Sequence, residues 1–358
     1  MERTHDFQKM NAKVQIKNNP WLHRFAVLTA VITFFLLGIG GLVTSHEAGM
    51  SVPDWPTSYG YNMFALPIKF WTGGALFEHS HRLLASGAGF FTTVLAVWLW
   101  IRDPRKWMKW LGVIAFLLVV AQGVLGGLRV TLKMDNLGVI HGVVGQSFFI
   151  LMCAIALFTS PFWRKWTADG KTFSVTRGLW TLVLATTILI FFQLILGATM
   201  RGQHAGLAIP DFPTAYEKIW PDTSAAAVAR YNADSSNANI ITAFQIILQM
   251  VHRLVALTIF ICVAACAVTA WRQMGGRDAL TKFAFFWLAL IVAQIGLGAW
   301  TIWSNKAADI ATMHVLVGAL SLVTGALWCI IAFGRSVKIK EAETAPFGAF
   351  GTLTANKQ

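Results

Sequence analysis

Long apolar runs, broken by short polar joints, fill most of this chain. Eight of them, at 25–44, 78–100, 108–128, 137–160, 178–200, 243–270, 283–303 and 310–333, are long enough to cross a hydrocarbon core of about 30 Å as helices. The alternation that marks barrel strands is absent, so the pattern predicts spanning helices. Glycines recur inside the runs, as close helix packing in lipid allows. Two joints are longer than the rest. The stretch HEAGMSVPDWPTSYG at 46–60 and the stretch HAGLAIPDFPTAY at 204–216 each set two prolines around an aspartate, and they say nearly the same thing.

The polar residues show that more than a loop is written twice. EHSHRLLA, from Glu78, matches QMVHRLVA, from Gln249, at an offset of 171 residues. GVIHGVVG from Gly138 matches ATMHVLVG from Ala311 at 173, and AQGVLG from Ala121 matches AQIGLG from Ala293 at 172. The loop motif repeats at 157, so the second long loop has gained about 14 residues before the following helix. Chance likeness between apolar segments does not supply His-Arg, Ala-Gln and Pro-Asp-aromatic-Pro-Thr in the same order. The repeat is four spans long, which makes it a parallel repeat with its pseudo-twofold along the membrane normal. The expected fold is an all-α membrane protein: eight transmembrane helices as two pseudo-symmetric four-helix bundles from an internal duplication. The expected divisions are a cytoplasmic segment 1–24, a first half 25–165, a linker 166–177, a second half 178–333 and a cytoplasmic tail 334–358.

Composition agrees with that pattern. The chain is 56% hydrophobic and 13% charged, against about a quarter charged in soluble domains. Arg3, Lys9, Lys13, Lys17 and Arg24, the joints 102–109, 164–177 and 272–282, and the tail 335–357 together hold 20 of the 29 cations. All fall on one side, which the positive-inside rule makes the cytoplasm. The net charge of +13 is therefore read as topology, not as a nucleic-acid footprint. The basic leader runs into a full-length span without a small-residue cleavage site, so the first span is expected to be retained. Cys153, Cys262, Cys266 and Cys329 all lie in apolar runs without metal-ligand spacing and read as small buried hydrophobes.

Ionisable residues inside spans point to function. His81 and His141 lie about one turn into the second and fourth spans, entering from outside. His252 and His314 stand at similar levels in the sixth and eighth, His252 somewhat deeper. Two imidazoles on facing helices suit an iron porphyrin held edge-on in a bundle. Zinc would want further Cys, His or carboxylate ligands, and Glu78 offers one only in the first half. Arg82 and Arg253 follow two of these histidines; each pairs with a propionate or satisfies backbone carbonyls. Glu78 lies three residues before His81 on the same helix face, and its counterpart Gln249 does not ionise. A carboxylate in one copy alone suggests one reactive site and one electron-transfer or structural site, unless Glu78 merely anchors the helix. His79 reads as interfacial. Gly87, Gly89, Gly142, Gly145 and Gly318 offer room for a flat macrocycle or ordinary helix packing. His46 and His204, at the mouth of each site, are weaker ligand candidates.

Over roughly 25–333 these residues resemble the haem A synthase family, through Glu78-x-x-His81-Arg82, His141, His252, His314, the doubled four-helix plan and the Pro-Asp-aromatic-Pro-Thr loops. The resemblance implies an oxidoreductase that converts haem O to haem A by oxidising the C8 methyl to a formyl group. Two hydroxylations would give a geminal diol that loses water. It also implies a haem b cofactor on His252 and His314, with Arg253, and a substrate haem at His81 and His141, with Arg82 and a reactive Glu78. Many family members carry a cysteine pair in the first outer loop, and 46–77 has none. The electron donor is accordingly open.

The expected setting is a bacterial inner membrane, with both termini cytoplasmic and the haem sites toward the periplasm. Lipid, haem O, an electron donor, haem O synthase or oxidase assembly factors, and a second copy of the chain are the expected partners, and nucleic acid is not. A di-haem b-type quinol oxidoreductase is the alternative, though it gives no reason for a carboxylate in one half. A transporter is opposed by the lack of proline-broken spans, and haem O synthase by the lack of an Asp-rich diphosphate site. The two long loops read as lids over the two sites.

Overall fold

The computed structural model describes residues 19–168, 175–234 and 240–343. Most of the N-terminal segment, part of the linker and much of the tail fall outside them, including Arg3, Lys9, Lys13, Lys17 and Lys357.

Among the described residues there are ten α-helices: α1 (Pro20–Ser45), α2 (Gly73–Arg102), α3 (Lys106–Thr131), α4 (Asp135–Thr159), α5 (Pro161–Ala168), α6 (Arg177–Gly202), α7 (Ala225–Asp234), α8 (Ala243–Met274), α9 (Ala279–Trp303) and α10 (Ala308–Glu343). Eight are long and apolar enough to cross a membrane. Among the described residues no strand forms, only the isolated bridges Ser58↔Tyr61 and Ala215↔Lys218, one in each long loop.

Local chemistry sets the helix ends. Asn19 caps α1 by accepting from the Leu22 amide, with Pro20 at the first turn, where its missing N–H costs nothing. Thr242 and Gln245 form a reciprocal capping box at α8, which stops at Gly275 in the left-handed region (φ 78°). The second span starts earlier than the apolar run suggested. Gly73 opens α2 five residues before Glu78, so His81 lies about two turns in, at about 1.5 Å per residue. Apolarity marks where lipid begins; the helix continues past it into polar residues under the loop.

The packing follows two rings. In the first half α1, α2, α3 and α4 each pack on the next and α4 returns to α1, so α1 and α3 stand across the diagonal, as do α2 and α4. In the second half α6, α8, α9 and α10 repeat the arrangement. The halves meet where α1 packs on α10 and where α4 packs on α6 and α10.

The dense cores lie away from the long loops. One gathers Leu22, Ala26, Leu99, Met108, Met152 and Ile155; the other gathers Leu179, Val183, Val263, Cys266, Trp287 and Trp328. All four cysteines are free. The Asp103 carboxylate, also at this end, takes Arg105 at 2.6 Å, and Arg105 Nη1 reaches the Phe158 carbonyl at 3.0 Å. Close packing at one end leaves the histidines and the small residues beside them at the other.

Two elements were not legible in the apolar pattern. α5 runs across the expected boundary at 165 into the linker. α7 accounts for most of the residues gained in the second long loop, and its Tyr231 stacks on Tyr216 with ring centroids 3.6 Å apart.

Candidate functional site

His81 of α2 and His141 of α4 face each other across the first ring, with ring centroids 6.3 Å apart. His252 of α8 and His314 of α10 do the same in the second, at 6.5 Å. Each imidazole lies against a glycine of the neighbouring helix. A Cβ built on Gly40, Gly126, Gly197 or Gly298 would stand 3.1, 3.4, 3.4 or 3.2 Å from Cε1 of His81, His141, His252 or His314 respectively. These four glycines were not singled out in the sequence. Those that were behave differently: a Cβ on Gly87, Gly89 or Gly142 would meet nothing within 4 Å, while Gly145 and Gly318 abut Leu37 and Leu194.

Three of the histidine carbonyls receive a glutamine amide from the neighbouring helix. Gln122 reaches His141 at 3.2 Å, Gln294 reaches His314 at 2.9 Å and Gln193 reaches His252 at 2.8 Å. In lipid such a second donor fixes where the helix and its ring stand. The Ala-Gln match held the signal for two of them; Gln193 corresponds to Leu36 in the first half and left none.

The donor set fits an iron porphyrin. Two imidazoles on opposite faces of one iron, with about 2 Å per metal–nitrogen bond and about 1.1 Å from nitrogen to ring centre, put the centroids about 6 Å apart. The four Nδ1 atoms are buried without a hydrogen-bond partner. Among the described residues no group of three His, Cys, Asp or Glu gathers as a zinc site would need.

Glu78 is buried, and both of its carboxylate oxygens are engaged. Its Oε2 accepts from the Val52 amide at 2.9 Å, and its Oε1 accepts from Arg82 Nη2 at 2.7 Å. Gln249 mirrors it: Oε1 accepts from the Ile209 amide at 2.7 Å, and Nε2 turns back to the Ile209 carbonyl at 3.3 Å. Both residues clasp the long loop onto the helix that carries the histidine. What differs between the halves is the charge.

The loops themselves are built alike. The Asp54 carboxylate accepts from the Thr57 hydroxyl and from the amides of Tyr59 and Gly60, and the Asp211 carboxylate accepts from Thr214, Tyr216 and Glu217. Burial pushes both carboxyls up, but these hydrogen bonds outweigh it and hold them below the usual carboxylate range. Tyr59 donates to the Ser51 carbonyl at 2.6 Å and Tyr216 to the Ala208 carbonyl at 2.5 Å. The Tyr216 phenol is pushed up to about 12 by burial, then by Tyr231 and Asp211. Trp55–Pro56 and Phe212–Pro213 are both cis.

Arg82 and Arg253 are carbonyl-bound. Arg82 reaches Asp54 O at 2.6 Å, Thr57 O at 3.1 Å and Val52 O at 2.9 Å; Arg253 reaches Asp211 O at 2.7 Å and Thr214 O at 2.8 Å. Both hold the loop, and Arg253 Nε is buried without a hydrogen-bond partner. His46 is exposed and stacks on Phe77, and His204 is exposed beside Glu47 at 3.7 Å, so neither stands among the four histidines. His79, expected at the interface, is fully buried instead. The loop closes over it: Ser58 Oγ lies 3.5 Å from its Nδ1, and Trp71 meets its ring edge-on at 4.7 Å. Trp55 lies on Gly127 of α3, and Phe212 packs on Trp303 of α9.

Eight helices long and apolar enough to span, two facing histidine pairs and a clasped loop over each define the class: a multi-pass membrane protein with a buried histidine pair in each half. Comparison with known sequences narrows this. The profile of a family described as cytochrome oxidase assembly protein (COX15-CtaA) matches residues 23–326, and the chain belongs to that family. Its relatives include the haem A synthases of Lysinibacillus sphaericus (26% identical over 325 residues, 90% of this chain and 98% of the relative) and Bacillus cereus (25% over 333 residues, 91% and 96%). The haem A synthase of Geobacillus kaustophilus is 26% identical over 325 residues, covering 89% of this chain and 94% of the relative.

Proposed function

We propose that the protein is a haem A synthase that oxidises the C8 methyl of haem O to a formyl group. The observation that carries this reading is the pairing of two like histidine sites with a carboxylate in only one. The substrate haem binds between His81 and His141, beside Glu78, and a haem b binds between His252 and His314. When bound, the haem iron supplies the redox chemistry.

The chain's own contribution is placement and charge. His81 and His141 would hold the substrate iron between α2 and α4. Gly40 and Gly126 allow the imidazoles to stand close against α1 and α3. The loop at 46–72, clasped by Glu78 and Arg82, closes the site from water, which strengthens electrostatic effects inside it. The Glu78 carboxylate is suited to accept a proton or to stabilise positive charge developing on the substrate methyl. Gln249 offers the second haem no such charge, in keeping with an electron-transfer role there. The matched loops and pairs support descent of the two halves from one duplicated four-helix unit. The cation-rich joints support a bacterial inner-membrane setting with both long loops toward the periplasm.

The test is to express the protein with a haem O supply and to extract and identify the haems. His81→Ala is expected to abolish haem A while haem b remains, and His252→Ala to remove haem b. Equivalent losses from both variants would overturn the division of roles.

A further inference from the structure

Besides Arg82 and Arg253, which occupy matching positions, each histidine pair has one further arginine near it, and these two come from different places in the repeat. In the first half it is Arg129, near the loop end of α3. Its charge acts on both His81 and His141. Gln122, Gly126 and Arg129 follow the i, i+4, i+7 spacing of one helix face, and the first two already touch His141. The guanidinium lies across Gly138, one turn outward from His141, and against Gly49 of the loop: a Cβ on either glycine would collide with it. The Arg129 side chain makes no hydrogen bond among the described residues, and its Nε is buried without a partner. Its ion contact is Asp135 at 3.7 Å, whose side chain is 65% exposed.

The second half has no arginine there. At the offset of the Ala-Gln match, Thr301 takes the place of Arg129 and bonds the Leu297 carbonyl of its own helix. Ala311 takes the place of Gly138, and a Cβ on Gly206, the counterpart of Gly49, would meet nothing within 4 Å. The arginine of this half is Arg201, at the loop end of α6, whose charge acts on His314. At the loop-motif offset its counterpart is Thr44 of α1, which bonds the Gly40 carbonyl. Arg201 Nη2 donates to Ser45 Oγ at 2.7 Å and to the Gly41 carbonyl at 3.1 Å, and no carboxylate among the described residues pairs with it. Arginine and threonine have thus exchanged positions between two helices that stand across the diagonal of each ring.

We propose that Arg129 and Arg201 anchor the propionates of the two haems, so that the substrate turns its propionate edge toward α3 and the second haem turns its own toward α6. This rests on the function proposed above. A guanidinium without a full set of partners suits a carboxylate, which it grips through two parallel hydrogen bonds. The consequence for the substrate is regiochemical. The C8 methyl shares its pyrrole ring with one propionate and the C5 methyl shares the ring of the other, so fixing that edge sets these two methyls apart from the two on the far side of the ring. Arg129 is then a positioning residue that narrows the choice to the methyls of the propionate-bearing rings, and it cannot be inferred from the second half because that half is turned the other way.

The test compares haem O with its dimethyl ester, which keeps the iron and the ring but masks both carboxylates. Binding to the full-length protein carrying haem b is followed by the Soret band. The wild type is expected to bind the free acid about ten- to a hundredfold more tightly than the ester. Arg129→Gln is expected to bring that ratio close to one by weakening the acid alone, and Arg129→Lys to restore part of it. Arg201→Gln is expected to lower haem b content and to leave the haem O ratio at the wild-type value. Intact haem O binding with no discrimination by the wild type, which requires no variant, overturns this proposal alone. So does an unchanged ratio in Arg129→Gln. A wild type that binds no haem O overturns the proposed function with it.

Discussion

The carboxylate of Glu78 reaches back 26 residues to the amide of Val52, at 2.9 Å, and so ties the first long loop to the helix that carries His81. Because Gln249 holds Ile209 in the same way at 2.7 Å, an amide at this position is already known to keep such a loop in place. Glu78→Gln is therefore expected to fold and to bind haem with the loop docked, while haem A formation falls by about a hundredfold or more. Haem extraction and analysis reads the outcome. An undiminished haem A yield would remove the charge from the mechanism.

The glycine cradles differ in tightness. Gly40 and Gly298 stand close enough to His81 and His314, at 3.1 and 3.2 Å from a built Cβ, that a methyl group must push the ring. Gly126 and Gly197, at 3.4 Å, leave ordinary contact distance. Gly40→Ala should weaken haem O binding and Gly298→Ala haem b retention, each by several-fold, with overpacking costing about 1–3 kcal/mol. Gly126→Ala and Gly197→Ala should come close to wild type. Soret titration of the four variants ranks them.

The tyrosine hydroxyls of the loops are structural. Tyr59→Phe and Tyr216→Phe each remove one short hydrogen bond to a loop carbonyl and should destabilise the loop by about 1 kcal/mol. Amide hydrogen exchange should show faster opening over 51–60 in the first variant and over 208–217 in the second, without loss of the spanning helices.

The loops should also be acid-sensitive with a defined sign. The Asp54 and Asp211 carboxyls are held below their ordinary value in the folded loops. Their contribution is therefore fully present above the unfolded carboxylate value of about 3.9 and is lost as pH falls through the lower folded value. Limited proteolysis of both loops is expected to stay flat from neutral pH down to about 4 and to rise below it. Asp54→Asn should remove that acid transition from the first loop only.

The sequence by itself determined the eight spans, the two histidine pairs and the single carboxylate, because each is carried by a local property: apolar length, an ionisable residue in a span, a residue type at a repeat offset. It also carried the sameness of the two long loops. Tertiary structure alone decided what the polar residues touch. Glu78, Arg82 and Arg253 each bond the loop above them, and His79 is buried beneath a loop that folds back over it from 21 residues away. Gly40, Gly126, Gly197 and Gly298 became visible only when a neighbouring helix brought an imidazole against them, since a glycine in lipid carries no mark of what it faces. The same holds for Arg129 and Arg201. Each reads as an ordinary cation near a helix end until the packing of four helices sets it beside a histidine pair, on opposite sides in the two halves.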